Sequence, residues 1–161
     1  MMNKVRHTII PAIWVVLKND KNQIYLLRRA NTGWRDGWYT VPAGHIEQFE
    51  SPSAAAIREL KEEAGITAHV KDLGEPLIYF YPADDMKNDR VSLFFVITTH
   101  EGEPYNAEPD KADDAGWFDL DNLPSNVVPL LGRALKDLET KTYYSERYYD
   151  EHFRDELLKG E

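Results

Sequence analysis

The stretch from Gly44 to Ile66 constrains the fold of this 161-residue chain more than any other segment. Ser51 is a favourable helix N-cap, and Pro52 suits the first helical position, where its missing N–H would have no partner. Gly65 stands where helices commonly end in a left-handed residue. The stretch therefore predicts a helix that begins after Ser51 and ends before Gly65.

The predicted helix has two faces of different character, because each residue advances the helix by about 100°. The small and apolar face consists of Ser53, Ala56, Ile57, Leu60 and Ala64. The opposite side carries Glu59, Glu62 and Glu63, with Ala55 pointing the same way. One face is expected to pack and the other to be acidic.

The acidic face has two interpretations. Most charge runs are solvated helix surfaces, and that is the simpler alternative. Against it, acids at positions i, i+3 and i+4 repel one another, and the neighbouring bases Arg58 and Lys61 flank the acidic face without lying among the acids. Oxygen-rich clusters of this kind suit Mg²⁺ or Mn²⁺, so the spacing favours a site for a hard divalent cation.

The same stretch resembles the Nudix box, the signature of the Nudix hydrolase superfamily. The box is a glycine, five residues, Glu, seven residues, and then Arg-Glu-apolar-any-Glu-Glu-any-Gly-apolar. Its fixed positions are all present: Gly44, Glu50, Arg58, Glu59, Leu60, Glu62, Glu63, Gly65 and Ile66. The resemblance implies an α/β chain with the Nudix fold, an α/β/α sandwich around a mixed β-sheet. It also implies Mg²⁺-dependent hydrolysis of a nucleoside-linked diphosphate, with Mn²⁺ as a substitute.

The resemblance assigns a role to each matching residue. The metal ligands would be Glu59, Glu62, Glu63 and the backbone carbonyl of Gly44. Glu50 would fix Arg58 and help to orient Glu59, and Arg58 would be an ion-pairing residue inside the acidic site. The alternative for Arg58 is an exposed salt bridge worth about 0–1 kcal/mol.

A second resemblance lies outside the box. The segment Gly102 to Glu108 (GEPYNAE) is similar to a segment of MutT-like nucleoside triphosphate pyrophosphohydrolases in which the last Glu meets a metal. Glu108 would then be a further ligand or the general base, in competition with Glu59. The alternative is an exposed loop acid.

The MutT-like resemblance favours a nucleoside triphosphate as substrate. Its cleavage to the monophosphate and pyrophosphate would proceed by in-line attack of a carboxylate-activated water. An ADP-ribose or nucleotide-sugar pyrophosphatase is one alternative, and a non-catalytic nucleotide-binding sensor is another. Isomerisation of an isoprenoid diphosphate on the same fold requires a catalytic Cys, and the chain has no cysteine.

Residues that contact the substrate are expected near the box. Arg28 and Arg29 end a predicted strand, and Arg28 is expected to bind phosphate because similar MutT-like proteins have an Arg near the nucleotide. Either could instead be an ordinary strand-end charge. A base pocket calls for aromatic side chains. The stacking candidates are Tyr81 and Trp117, with Tyr79, Phe80 and Trp34 as further choices, and the alternative for each is core or loop packing.

Composition narrows the range of partners. The net charge is −9, which disfavours nonspecific binding to nucleic acid or anionic membranes. The longest N-terminal apolar run, Ile9 to Leu17, is too short to span a bilayer, and no secretory signal is evident. We expect a cytoplasmic protein that binds a small-molecule nucleotide, and the resemblance also allows a homodimer.

The remaining apolar runs predict a sheet and a second helix. Strands are expected at His7–Lys18, Gln23–Arg29, Ala68–Tyr81, Arg90–His100 and Ala115–Asp119, and a helix at Val127–Leu138. The first two strands would pair as a hairpin, and the third has an interruption near Gly74-Glu75-Pro76. The Nudix domain would span residues 1–140. The tyrosine-rich residues 141–161 predict a helical extension that packs on the domain or on a sister subunit.

Overall fold

The computed structural model describes residues 8–82 and 88–146, in which eight strands and two α-helices follow one another. The strands are β1 Ile9–Leu17, β2 Gln23–Arg29, β3 Tyr39–Thr40, β4 Ala43–His45, β5 Leu77–Pro82, β6 Asp89–Ile97, β7 Ala112–Asp119 and β8 Tyr144–Ser145. The helices are α1 Pro52–Ala64 and α2 Pro129–Glu139. Short 3₁₀ helices lie at Val70–Asp72 and Leu120–Asn122.

The strands form two sheets. The larger sheet has the order β4-β1-β6-β5-β8, and it is mixed: β1 is antiparallel to β4 and parallel to β6, while β5 is antiparallel to β6 and parallel to β8. The smaller sheet has the order β3-β2-β7 and is antiparallel throughout.

Successive side chains of β1 enter two different cores. Ile13 and Val15 pack with α1, whereas Trp14 and Val16 pack with α2. Because neighbouring side chains of a strand point to opposite faces, a strand that is apolar at every position is buried on both faces. The sheets therefore lie between the two helices, and the predicted α/β/α sandwich around a mixed sheet is confirmed.

Helix α1 has the bounds and the caps that its sequence predicts. The Ser51 Oγ accepts a hydrogen bond from the Ala54 N–H at 3.2 Å, and Gly65 closes the helix with a left-handed φ of 68°. Leu60 on the apolar face is fully buried, which is worth about 1.5–3 kcal/mol. The acidic face is partly buried, because β4 packs against it and leaves Glu59 only 9% exposed.

The predicted hairpin between β1 and β2 is wrong. Among the described residues, a single bridge between Lys18 and Ile24 links the two strands before they enter different sheets. The reason is competition for the edges of β1, which are taken by β4 on one side and by the full length of β6 on the other.

Two other strands have different bounds from those predicted. The run from Ala68 to Tyr81 contains a 3₁₀ helix, and its strand begins only at Leu77, after Pro76, which has no N–H to donate to a ladder. β7 begins at Ala112, three residues before Ala115, because its acidic first half still pairs with Arg28 and Arg29 of β2.

The first residues of the C-terminal tail are extended. β8 pairs in parallel with β5 through Ile78–Tyr144 and Tyr79–Ser145, so the predicted helix does not begin there. Residues 147–161 lie outside the described residues, and both the domain boundary at 140 and the packing of a helical tail stay predictions. No helix in the described ranges is long and apolar enough to cross a bilayer.

Candidate active site

The acidic face of α1 rests on the backbone of β4. A Cβ atom on Gly44 would lie 2.0 Å from the Oε1 atom of Glu59, so only glycine leaves room for this carboxylate. The neighbouring Ala43 N–H donates a hydrogen bond to the Oε2 atom of Glu63 at 3.1 Å. Two of the three box glutamates that were predicted to bind metal are therefore held against one short strand.

The helical spacing predicts that Arg58 flanks the acidic face, but in the structure its guanidinium lies among the acids. Its Nε and Nη2 atoms both donate to Glu50 at 2.9 Å, and its Nη1 atom donates to Glu59 at 2.6 Å and to Glu62 at 3.2 Å. Nη2 also donates to the carbonyl of His45 at 3.1 Å. The side chain of Arg58 is only 24% exposed, so these contacts are not an exposed surface pair.

These contacts set the charge of Glu50. The paired hydrogen bonds from Arg58 and a further bond from the backbone of Glu47 lower the pKa of Glu50 to about 2. Glu50 is thus a permanent anion that fixes the planar guanidinium from one side, which leaves the Nη1 atom for Glu59 and Glu62.

The two buried glutamates behave differently from Glu50. Burial, together with the charges of Glu59 and Glu108, raises the pKa of Glu63 to about 8, against the opposing effects of the hydrogen bond from Ala43 and the charge of Arg29. Burial also raises the pKa of Glu59, against the opposing effect of Arg58. Buried carboxylates close to one another resist ionisation unless a positive charge is supplied.

Glu108 joins this cluster from the loop before β7. Its side chain lines the same cavity as Glu63, and its Oε1 atom accepts a hydrogen bond from Lys111 Nζ at 2.8 Å. The charges of both Glu59 and Glu63 interact with it. The structure therefore brings Glu63 of the box close to Glu108 of the second predicted acidic segment, which lies more than forty residues later in the chain.

The residues present fit a divalent cation in their chemistry. Carboxylate oxygens gather beside the Gly44 backbone, and a cation would supply the charge that two buried glutamates lack. As arranged within residues 8–82 and 88–146, no three acidic or histidine side chains are grouped closely enough to hold an ion. The reason is that Glu59 and Glu62 turn toward Arg58 and Glu63 turns toward Ala43.

A cavity of ≈ 510 Å³ opens beside the acids. Its charged lining residues include Glu63, Glu108, Arg29, Arg35 and Lys111. Its lining also includes the apolar and aromatic residues Trp14, Tyr81, Val128, Pro129 and Leu130. This size and this combination of charged and apolar lining residues are typical of a small-molecule site.

Of the two strand-end arginines, Arg29 and not Arg28 lines the cavity. Arg28 lies on the exposed face, where its Nε atom pairs with Asp113 at 2.7 Å. Arg29 stacks on the Trp34 ring at 4.8 Å and donates to the Trp34 carbonyl at 2.8 Å. Strand alternation explains why the two arginines differ: Arg29 shares a face with Leu27, which also lines the cavity. The phosphate-binding role of Arg28 stays a prediction, and Arg29 is the arginine nearer the cavity.

Only one of the two predicted stacking residues, Tyr81 and Trp117, lines the cavity. Tyr81 lines the cavity, whereas Trp117 packs edge-on against Tyr25 at a ring distance of 5.6 Å and lies outside the cavity. The sequence did not reveal that Trp14 and the pair formed by His45 and Arg90 also line it. Trp14 is one of many apolar residues in β1, so its sequence position does not distinguish it from core residues. Arg90 reaches the cavity because β6 pairs with β1, and that pairing of distant segments is not evident from the sequence.

Comparison with known proteins identifies the family. The profile described as "NUDIX domain" matches residues 8–143. The chain belongs to the NUDIX family. It is a Nudix hydrolase, and members of this family use divalent metal ions.

Two relatives show how far the similarity extends. The ADP-ribose pyrophosphatase of Methanocaldococcus jannaschii is 34% identical over 125 residues, which cover 76% of this chain and 70% of that protein. The 8-oxo-dGTP diphosphatase of Escherichia coli is 32% identical over 115 residues, which cover 71% and 83% of the two chains. A MutT NUDIX hydrolase from Burkholderia pseudomallei has the same fold, with a TM-score of 0.72 and 24% identity over 81% of this chain and 98% of the other.

The raised pKa of Glu63 predicts a pH-dependent stability in the absence of metal. The pKa is about 8 in the folded chain against 4.5 in the unfolded one, so the folded state holds the extra proton. This contribution is complete below pH 4.5 and is lost as the pH rises through about 8. The free energy of unfolding in urea with a chelator should fall over this range, by up to the order of a few kcal/mol from this group.

Glu63→Gln should remove that part of the decline, because the amide does not ionise. Glu139→Gln, which changes an exposed glutamate at the end of α2, should decline as the unmodified protein does. An equal decline in all three proteins would show that Glu63 is not the buried proton-binding group.

Proposed function

We propose that this Nudix hydrolase cleaves a nucleoside triphosphate to the monophosphate and pyrophosphate with Mg²⁺. The observation that carries the proposal is a nucleotide-sized cavity lined by Glu63, Glu108, Arg29 and Lys111. The Glu59 carboxylate lies close enough to Glu63 for its charge to raise the pKa of Glu63. Acids would hold the cation and bases would face the phosphate oxygens, so both charges of a metal–diphosphate complex have partners.

The names of the two relatives support hydrolysis of a phosphoric anhydride, but they differ in the substrate. One is named a diphosphatase of 8-oxo-dGTP and the other a pyrophosphatase of ADP-ribose. Both names describe a nucleoside joined to a phosphoric anhydride. ADP-ribose is therefore the second candidate, favoured by the relative that shares 34% identity.

The cation would be held by Glu59, Glu62, Glu63, Glu108 and the carbonyl of Gly44. When bound, Mg²⁺ would neutralise the diphosphate oxygens and so reduce their repulsion of an attacking water, and Mn²⁺ would serve in its place. Arg58 would hold Glu59 and Glu62 in position, and Glu50 would hold Arg58, because ligands that are poorly supported lose much of their effect.

The proton of the attacking water needs an acceptor. Glu59 is our first choice, because its raised pKa makes it a better base than an ordinary carboxylate. Glu108 is the competitor, because its side chain lines the cavity. The proton leaves the water as its oxygen bonds to phosphorus and the anhydride oxygen departs on the opposite side.

The remaining groups would bind the substrate. Arg29 is half-buried and stacked on Trp34, so its guanidinium is already oriented when a phosphate arrives. Tyr81 and Trp14, which both line the cavity, would receive the base and exclude water. A cytoplasmic location and a homodimeric assembly complete the proposal, and analytical ultracentrifugation tests the second.

A substrate panel tests the function as a whole. Nucleoside triphosphates, dinucleotides, ADP-ribose and nucleotide sugars are supplied with Mg²⁺, and release of pyrophosphate is scored against release of phosphate. We expect pyrophosphate from a nucleoside triphosphate. Cleavage of ADP-ribose alone would select the second candidate, and tight nucleotide binding without turnover would select a sensor.

Glu62→Gln should abolish Mg²⁺-dependent turnover and leave the chain folded. Glu62 lies at the solvent-facing edge of the cluster, with its side chain 52% exposed, so its loss should affect the cation more than the core. The measurement is initial rate against Mg²⁺ concentration, with circular dichroism to verify folding. Glu139→Gln is the matched helical control, and full activity in Glu62→Gln would remove this residue from the metal site.

Glu108→Gln should lower kcat by more than tenfold, or about 1.4 kcal/mol of barrier. The change keeps the size of the side chain and removes the charge that faces Glu63. Glu103→Gln alters an exposed glutamate in the same loop and should keep the normal rate. An unchanged kcat in Glu108→Gln would reduce Glu108 to a loop acid.

Arg29→Ala should raise KM for the nucleotide by about tenfold, since a charge-assisted hydrogen bond to phosphate is worth roughly 1.5–3 kcal/mol. Arg28→Ala is a matched control in the next position of the same strand, on the exposed face. The comparison is made in KM at saturating Mg²⁺. A larger effect from Arg28→Ala would reverse the assignment of the phosphate contact.

A further inference from the structure

The loop between β6 and β7 is fastened to the C-terminal end of α1. The Tyr105 N–H donates to the carbonyl of Ala64 at 3.1 Å, and the Ala107 N–H donates to the carbonyl of Glu63 at 3.1 Å. The last carbonyls of a helix have no partner within the helix, so the loop supplies partners that would otherwise be missing. The same loop is joined to Thr67 at its start through the Glu101 N–H at 2.9 Å.

The ring of Tyr105 packs directly on Gly65. A Cβ atom on Gly65 would lie 2.1 Å from the Cε1 atom of this ring, so the ring occupies the place of a side chain. Tyr105 is nevertheless 59% exposed and belongs to neither hydrophobic core. Its contact with the helix end is therefore local, and general core packing does not account for it.

A short chain of hydrogen bonds leads from this contact to Glu108. The Asn106 Oδ1 atom accepts from the Glu108 N–H at 3.2 Å, and Asn106 Nδ2 donates to the Ala112 carbonyl at 2.7 Å. Glu108 is thus held from its own backbone, three residues after the tyrosine. On the helix side, the carbonyl that receives the Ala107 N–H belongs to Glu63 itself.

We propose that Tyr105 is a positioning residue, which sets the Glu108 carboxylate opposite Glu63 by clamping the loop onto the Gly65 end of α1. The inference rests on the proposed role of Glu108 in the reaction. Tyr105 is not among the residues that line the cavity, and it acts through the loop backbone.

Tyr105→Ala should lower kcat by about tenfold and change KM for the nucleotide less than about twofold, since misplacement of one reacting group by an ångström has effects of this size. The Mg²⁺ concentration for half-maximal rate should rise. Tyr105→Phe keeps the ring and should retain most of the activity. Tyr144→Ala is the matched control: a tyrosine that is 58% exposed in β8, away from the loop.

Coupling to Glu108 separates positioning from a general structural effect. In a Glu108→Gln background, Tyr105→Ala should reduce kcat by less than about a further twofold, because a residue that acts only through Glu108 has nothing left to position. An additional tenfold loss in the double variant would overturn the proposal. A neutral Glu108→Gln would instead remove the proposed role of Glu108, and the inference would fall with it.

A measurement without turnover completes the test. The amide hydrogens of Tyr105 and Ala107 should exchange at least about tenfold faster in Tyr105→Ala than in the unmodified chain, because their bonds to α1 open more often. Glu108→Gln should leave both rates unchanged. Calorimetry with Mn²⁺ alone should show weaker binding in Tyr105→Ala. Unchanged exchange and unchanged Mn²⁺ affinity would contradict a clamp at this position.

Discussion

The contact between Glu59 and the backbone at Gly44 is the interaction on which the rest of the site depends. It buries a carboxylate at the junction of a helix and a short strand, where burial raises its pKa. Burying a charge without a partner is costly, and one partner, Arg58, is shared with Glu50 and Glu62. The cluster of Glu50, Glu59 and Glu62 therefore carries more negative charge than its shared partner Arg58 neutralises.

The shortage of positive charge is concentrated on Glu63. Arg58 reaches the other two box glutamates, whereas Glu63 has a hydrogen bond from the Ala43 backbone, and the nearby charge of Arg29 lowers its pKa only in part. A group in this condition holds a proton near neutral pH or accepts a cation instead. The ionised form of Glu63 is the form that binds a divalent ion, and it is also the form that destabilises the metal-free fold. Such perturbed groups are typical of functional sites.

The local parts of this arrangement could be predicted from sequence, and the distant parts could not. The bounds of α1 follow from Ser51, Pro52 and Gly65, because caps act within one turn. The prediction of a β1–β2 hairpin was wrong because strand pairing depends on which distant strands are available for each edge. One edge of β1 pairs with β6, and β2 lies in the other sheet. Which of Arg28 and Arg29 lines the cavity depends on the strand face that each occupies, and the pairing of β2 with β7 fixes those faces.

The two glycines at the ends of the box are required by different neighbours. Gly44 leaves room for the carboxylate of Glu59, which belongs to the middle of α1. Gly65 has a left-handed φ and also leaves room for the ring of Tyr105, which belongs to a loop some forty residues later. Glu59 belongs to α1 itself, and the loop that carries Glu108 is hydrogen-bonded to the last turn of α1. Because a helix keeps its length and its rotation as a rigid unit, the position of Glu108 relative to Glu59 is set by where the loop contacts α1.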